Sequence, residues 1–208
     1  MKTFTVTIAR GFGSGGKSIG EELARMLGIP CYEDELKRMA VVESGVSEEL
    51  LEETDERLAG SRVQQRLHSF IHRYNPRPER KEFASQDYIF DIQKKIILSL
   101  VEKESCIIIG KCADYILSGR DNVLSVYVDA PRSACVKSIC LRMGVDEKDA
   151  NALIESTDRY RAAYYKYYTG GRDWTNPTNY DMFLNSDKLG RDKCARLINA
   201  ALEIKGIK

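Results

Sequence analysis

The chain has 208 residues, of which 43% are hydrophobic and 30% charged, a composition typical of a globular protein. Its 32 Lys and Arg residues nearly balance its 31 Asp and Glu residues, which excludes a general nucleic-acid coat. No apolar run reaches the ~18 residues of a membrane span. The N-terminus leads into a strand pattern rather than a signal peptide. These features predict a cytoplasmic protein without nucleic-acid or membrane partners.

The first elements in chain order form a strand, a glycine-rich loop and a helix. Residues 4–9 are β-branched and aromatic, which is typical of a strand. From Lys17 apolar residues recur at helical spacing up to the stop signal at Gly28. Four further short strands are predicted at residues 30–33, 106–109, 123–128 and 180–184. Short apolar strands separated by helices predict a three-layer α/β fold with a five-stranded, mainly parallel sheet.

Residues 35–103 are too many for a simple crossover between two strands. They are mostly helical in pattern, which predicts a helical insertion over the carboxyl ends of the strands, where α/β sheets bind ligands. Its basic stretch 73–81 is typical of an exposed loop, with phosphate recruitment as the alternative. His68 and His72 are one helical turn apart, but the sequence places no third ligand nearby and favours no metal site. The length favours one domain over residues 1–208 rather than two.

A second irregular stretch, residues 169–179, lies between a helix predicted at 146–168 and the last strand. It contains glycines, Pro177 and Trp174, the single tryptophan of the chain. Such a segment predicts a mobile flap within a lid region at 155–179. The six cysteines contain no Cys-x-x-Cys pair and are predicted to be small core residues.

The chemistry is carried by residues 11–18, which read Gly-Phe-Gly-Ser-Gly-Gly-Lys-Ser. They match the P-loop motif Gly-x-x-x-x-Gly-Lys-[Ser/Thr] at every fixed position, between a strand and a helix as the motif requires. Glycines let the backbone wrap an anion, so that N–H groups point at phosphate oxygens. Lys17 would contact the β and γ phosphates, and Ser18 can ligate Mg²⁺. The predicted phosphate-binding residues are Gly11, Gly13, Ser14, Gly15, Gly16, Lys17 and Ser18.

Segments along nearly the whole chain resemble the cytidylate kinase-like family of P-loop nucleoside monophosphate kinases. They include Tyr-Glu-Asp-Glu-Leu at 32–36, Cys-Ile-Ile-Ile-Gly-Lys at 106–111 and Val-Tyr-Val-Asp-Ala-Pro at 126–131. Residues 8–20, 158–166 and 179–185 extend the resemblance. It implies a P-loop NTPase fold and phosphoryl transfer from ATP to a small acceptor, most readily a nucleoside monophosphate such as CMP.

In this family arginines of the lid close over the phosphates. The matching positions here are Arg159 and Arg161, which with Lys17 form the implied catalytic set. Arg172 in the flap is a further candidate. Without the resemblance, an arginine on the polar face of a helix would be interpreted as solvated.

The resemblance also implies which residues bind the acceptor, from their positions along the chain. Asp34, Lys37 and Arg38 lie where the family begins its acceptor-binding segment, and Lys111 stands where these kinases commonly carry arginine. Lysine offers a point charge where arginine offers a planar fork, so cytidylate as the acceptor stays open. Tyr88, Phe90 and Gln93 could contact a base, but their helical spacing favours a core role.

Three alternatives stay open. Asp129, at the end of the fourth predicted strand, could hold Mg²⁺ through water or, because Pro131 follows, cap the next helix. A hydroxyl acceptor such as a sugar or cofactor precursor would need a general base, for which Asp34 is the candidate. A nucleotide-sensing module without turnover is a further hypothesis. The effect of losing Arg161 would distinguish this module from a kinase, because a sensor does not need a charge that stabilises a transition state.

Overall fold

The computed structural model describes residues 3–33, 35–36, 38–39 and 87–208, the side chain of Tyr88 excepted. Its sheet has the order β2-β3-β1-β4-β5, and all neighbouring strands are parallel. This confirms the predicted five-stranded parallel sheet. β2 is shorter than predicted, and β5 begins two residues later. The strands are β1 (Thr5–Arg10), β2 (Cys31–Tyr32), β3 (Cys106–Ile109), β4 (Val123–Asp129) and β5 (Met182–Asn185).

The helices end where the local sequence signals place them. Gly28 is left-handed, with φ 66°, and closes the first helix as predicted. In the described ranges no helix is both long and apolar enough to cross a bilayer. The α-helices are α1 (Gly16–Leu27), α2 (Asp87–Lys103), α3 (Ala113–Ile116), α4 (Arg132–Met143), α5 (Glu147–Tyr168), α6 (Ser186–Leu189) and α7 (Arg191–Ile204), with a 3₁₀ turn at Pro177–Asn179.

Helices cover the sheet on both faces, because successive strand residues point to opposite sides. On one face α1 and α7 pack over Val6 and Ile8. On the other face α2 and α3 pack over Cys106 and Ile108, and the end of α5 packs near Tyr127. This arrangement confirms the three-layer α/β fold. The six cysteines are free thiols, and those buried in the layers are Cys106, Cys112, Cys135 and Cys194.

The predicted helical insertion lies mostly outside the described residues, including residues 40–86 and therefore His68 and His72. Its last helix, α2, is described and packs on the face of β3. Phe90, near the start of α2, is buried in the cluster around Tyr127 and stacks on Tyr168, with ring centroids 3.8 Å apart. Gln93 is also buried. Both side chains therefore belong to the packed interior of the described structure.

Candidate active site

The P-loop lies at the carboxyl end of the central strand β1, directly before α1. Gly13 and Gly15 have φ values of 88° and 84°, which residues with a side chain rarely adopt. The N–H groups of the first turn of α1 have no helical acceptor before them, and they carry the positive end of the helix dipole. Loop and helix together therefore form an anion-binding site.

Two buried hydroxyl groups hold the shape of the loop. Ser14 Oγ donates to the carbonyl oxygen of Gly11 at 2.8 Å, and the Ser14 N–H donates to the same oxygen at 3.3 Å. Ser186 Oγ, at the start of α6, donates to the carbonyl oxygen of Ser14 at 2.5 Å. It also approaches the carbonyl oxygen of Asp129 at 3.2 Å. In this conformation Ser14, predicted to bind phosphate, stabilises the loop itself.

Replacing Gly13 with alanine is expected to destabilise the protein more than replacing Gly119. Both glycines are left-handed, but a Cβ on Gly13 would lie 2.8 Å from the carbonyl oxygen of Cys135, whereas a Cβ on Gly119 would meet no atom of the described residues within 4 Å. Overpacking adds roughly 1–3 kcal/mol to the conformational cost that both variants share. Urea unfolding of both variants measures the difference. Equal losses would show that the loop moves freely away from α4.

A single carboxylate, Glu33, joins two cations beside the loop. Its Oε2 lies 2.7 Å from Lys17 Nζ, and its Oε1 lies 2.7 Å from Arg10 Nη2. The side chain of Glu33 is 14% exposed and that of Lys17 is 45% exposed, so the lysine stands at the mouth of the site. Neither Arg10 nor Glu33 was predicted from the sequence as a site residue. The available signal was that one ends β1 and the other directly follows β2, at the same sheet edge.

Arg161 of α5 is the predicted lid arginine that the structure brings to the P-loop. Its Nη1 donates to the carbonyl oxygen of Arg10 at 3.0 Å, and its side chain is 10% exposed. One turn earlier on α5, Asp158 Oδ1 accepts the N–H of Phe12 at 2.8 Å. The helix predicted as a lid therefore holds both sides of the junction between strand and loop. Asp158 was not predicted from the sequence.

Arg159 is placed differently from its neighbour two residues later. Its side chain is 42% exposed and forms an ion pair with Glu155, one turn earlier on α5. Of the two predicted lid arginines, one contacts the P-loop and the other lies on the exposed side of the helix.

Two further arginines, which were not predicted as site residues, come from neighbouring helices. The guanidinium of Arg142, in the last turn of α4, lies 5.3 Å from the centre of the Phe12 ring, and that of Arg161 lies 5.5 Å from it. Arg191 begins α7 and contacts Gly15, where a Cβ would lie 2.6 Å from its Nε. Partial burial and then the like charges of Arg161 and Arg191 lower the pKa of Arg142. Such crowded positive charge suits a polyphosphate.

Oxygen groups that could hold Mg²⁺ flank the same loop. Asp129, the last residue of β4, lies close to Gly11 of the loop, because a Cβ on Gly11 would lie 2.6 Å from Asp129 Oδ1. The N-cap of α4 is Pro131, without a side-chain cap, and Asp129 Oδ1 accepts the N–H of Ala130 at 2.9 Å. Asp129 therefore does not cap α4. Burial raises its pKa. Ser18 is exposed in the first turn of α1. Carboxylate and hydroxyl oxygens fit Mg²⁺, a hard cation.

A strained turn follows β3, which neighbours β1 on the side opposite β4. Gly110, Lys111 and Cys112 are successive left-handed residues, with φ values of 72°, 57° and 53°. In the part of the chain that the structure describes, Lys111 and Cys112 are the non-glycine residues with positive φ. Such backbone strain costs free energy and concentrates at functional sites. Of the other predicted acceptor residues, Arg38 is exposed and pairs with Glu35 at 3.2 Å. Asp34 and Lys37 lie outside the described residues.

The segment 169–179, predicted as a mobile flap, is anchored at its middle. Trp174 is 6% exposed and packs edge-on against Tyr127, with ring centroids 5.4 Å apart. Its carbonyl oxygen accepts the hydroxyl of Tyr180 at 2.8 Å. Arg172 lies over the ring of Tyr115, 5.0 Å from its centre. Any closing motion of this segment must therefore pivot around the tryptophan or break its contacts.

Asp114 beneath this segment predicts a pH-dependent stability. Burial raises its pKa, and a 2.7 Å hydrogen bond from the Tyr165 hydroxyl opposes the shift. A carboxyl whose pKa is higher in the folded state binds more protons there than in the unfolded chain. Its contribution to stability therefore falls as the pH rises above about 4.

Urea unfolding at several pH values, compared with Asp114→Asn, measures this effect. We expect the free energy of unfolding of the wild type to fall relative to the variant as the pH rises above about 4. Tyr165→Phe should steepen the change, because it removes the hydrogen bond that lowers the pKa of Asp114. A difference that stays constant with pH would contradict the raised pKa.

Known proteins share this fold. An uncharacterized protein from Eubacterium ventriosum has a TM-score of 0.69 and 25% identity, covering 97% of this chain and 99% of that chain. Shikimate kinase from Acinetobacter baumannii has a TM-score of 0.52 and 10% identity, covering 99% of this chain and 96% of that chain. The latter similarity shows the fold alone.

Sequence comparison gives the family. A cytidylate kinase of Methanoculleus marisnigri is 30% identical over 119 residues, which cover 57% of this chain and 62% of that protein, less than two thirds of its length. The sequence profile of the Cytidylate kinase-like family matches residues 5–188. Because this match includes the P-loop, all five strands and the arginine-bearing helix α5, the chain belongs to the Cytidylate kinase-like family.

Proposed function

We propose that the protein transfers a phosphoryl group from ATP to a nucleoside monophosphate such as CMP, with Mg²⁺ as cofactor. Membership of the family supports a kinase-type phosphotransferase. The observation that carries the proposal is the convergence of Lys17 and Arg161 on one P-loop at the carboxyl edge of the sheet. A P-loop alone would serve for nucleotide binding, whereas added cations suit a transition state with spread negative charge.

On the donor side, the loop N–H groups and the first turn of α1 would hold the β and γ phosphates. Lys17 would leave Glu33 for the phosphates, and Arg161 would turn toward them from its place beside the loop. Ser18, directly, and Asp129, through water, would hold Mg²⁺, which neutralises phosphate charge when bound. The reaction is mainly a matter of positioning. An acceptor oxygen attacks the γ phosphorus of ATP. The bond between the γ phosphorus and the oxygen that bridges it to the β phosphate breaks, and ADP leaves.

On the acceptor side, we propose that the acceptor is bound by the segment 35–103, which contains Lys37 and Arg38, together with Asp34 and Lys111. The lid region 155–179 would exclude water from the site. A phosphate monoester is largely ionised at neutral pH and needs no general base to become a nucleophile. A hydroxyl acceptor would need one. In the described structure, the neighbourhood of Lys111 and the P-loop is rich in cations, which favours an anionic acceptor.

An acceptor screen that measures ADP release tests the proposal. CMP, dCMP, UMP and AMP are compared with hydroxyl-bearing, non-nucleotide metabolites in the presence of ATP and Mg²⁺. We expect ADP release well above the rate of ATP hydrolysis with at least one monophosphate. A preference for a hydroxyl metabolite would overturn the acceptor class. ATP binding without turnover on any acceptor would favour the nucleotide-sensing alternative.

A further inference from the structure

Arg10 occupies the boundary between the donor and acceptor sides of the site. It ends β1, and its side chain runs between two glycines on either side of the strand. A Cβ on Gly16, in the P-loop, would lie 2.5 Å from Arg10 Cβ, and a Cβ on Gly110, after β3, would clash with the Arg10 guanidinium. The absence of a Cβ at these two glycines leaves room for the Arg10 side chain. Its guanidinium is thereby placed beside the turn that carries Lys111.

Arg10 and Lys17 share the carboxylate of Glu33. Glu33 contacts Arg10 through one oxygen and Lys17 through the other, at 2.7 Å each. The side chains of Arg10 and Glu33 are only 16% and 14% exposed, so this pair is screened less than a surface ion pair. Lys17 is the lysine of the donor phosphates. Arg10 therefore lies close enough to the donor site that one carboxylate contacts both Arg10 and Lys17.

A phosphate monoester would compete with Glu33 for Arg10. The monoester carries a charge of roughly −1.5 to −2 at pH 7, against −1 for the carboxylate, and it offers three acceptor oxygens. The guanidinium presents its donors in a planar fork that matches phosphate geometry. Lys111, directly after Gly110, lacks that fork. The Arg10 guanidinium lies beside Gly110, the first residue of the strained turn Gly110–Lys111–Cys112.

We propose that Arg10 binds the phosphate of the acceptor, and that Glu33 occupies its place until the acceptor arrives. The acceptor class is thereby narrowed to small molecules that already carry a phosphate monoester. This inference rests on the proposed function, since it assigns the acceptor side of the same transfer. The donor phosphate would bind at Lys17 and the acceptor phosphate at Arg10. These are the two cations that Glu33 contacts in the structure.

Titration calorimetry with the P-loop filled by ADP tests the role of Arg10 without any turnover. CMP, cytidine and inorganic phosphate are titrated into the wild type, Arg10→Lys and Arg120→Lys. Arg120 pairs with Glu102 at 2.6 Å and precedes β4, at the opposite sheet edge, so its variant is a matched control. We expect Arg10→Lys to weaken the binding of CMP and phosphate by roughly tenfold or more, since hydrogen bonds between charged groups are lost. Cytidine binding should not change, and Arg120→Lys should match the wild type.

Equal CMP affinity in the wild type and Arg10→Lys would overturn the inference, as would an equal loss for cytidine or a wild type that binds neither CMP nor phosphate. Loss of phosphate binding in Arg10→Lys, in a protein that shows no turnover, would uphold the role of Arg10 and reject the proposed function instead. If Arg10→Lys does not fold, Glu33→Gln decides. Removing the competing carboxylate should tighten phosphate binding several-fold, and unchanged or weaker binding would contradict its displacement.

Discussion

Lys17→Ala is expected to lower phosphoryl transfer by at least about 10³-fold, the loss expected when a cation that stabilises the transferring phosphoryl group is removed. The fold should remain intact, because the side chain is 45% exposed at the mouth of the site and Arg10 remains to pair with Glu33. ADP release with ATP and the preferred acceptor measures the activity. Urea unfolding measures the stability, which should change by less than about 1 kcal/mol.

Lys148→Ala provides the control for Lys17→Ala, since Lys148 is an exposed lysine in the first turn of α5. It should retain wild-type activity and stability. A Lys17→Ala variant with more than a tenth of the wild-type activity would place the catalytic charge elsewhere, with Arg142 and Arg191 as the next groups to replace. A large loss of stability would instead show that the bridge through Glu33 holds the loop together.

Arg161→Ala is expected to lower kcat by roughly 10²-fold and to raise the KM for ATP much less. The guanidinium lies at the edge of the loop, where it can follow charge that develops only in the transition state. Because it also donates to the carbonyl oxygen of Arg10, a loss of about 1 kcal/mol in stability should accompany the change. Arg161→Lys should restore part of kcat, since lysine keeps the charge without the planar fork.

Two arginine variants serve as comparisons for Arg161→Ala. Arg159→Ala should cost less activity, because Arg159 pairs with Glu155 on the exposed side of the same helix. Arg196→Ala, which removes an exposed pair with Asp192 on α7, should leave activity unchanged. Equal losses in kcat and ATP affinity for Arg161→Ala would move its role to ground-state binding. A loss of stability without a change in kcat would restrict Arg161 to a structural role beside the P-loop.

Local sequence was sufficient for the elements of the fold and for the P-loop. Residues 11–18 are recognisable because glycine spacing, a preceding strand and a following helix are properties of neighbouring residues. The short apolar runs similarly predicted the strands and a parallel sheet. The predicted bounds were least accurate at β5, which begins two residues later than predicted, and at β2, which retains only Cys31 and Tyr32. The length of β2 depends on pairing with β3, which a local pattern does not contain.

Only the tertiary structure decided which side chains meet at the site. The strand order places β1 between β3 and β4, which brings the ends of strands distant in the chain to one edge. Glu33 reaches Arg10 across 23 residues, and Asp158 reaches Phe12 across 146. Helix periodicity predicted that Arg159 and Arg161 lie on a helix, but the packing of α5 against the loop selected Arg161. Sequence therefore determined the local shape of the phosphate loop, whereas contacts between distant segments determined the charges around it.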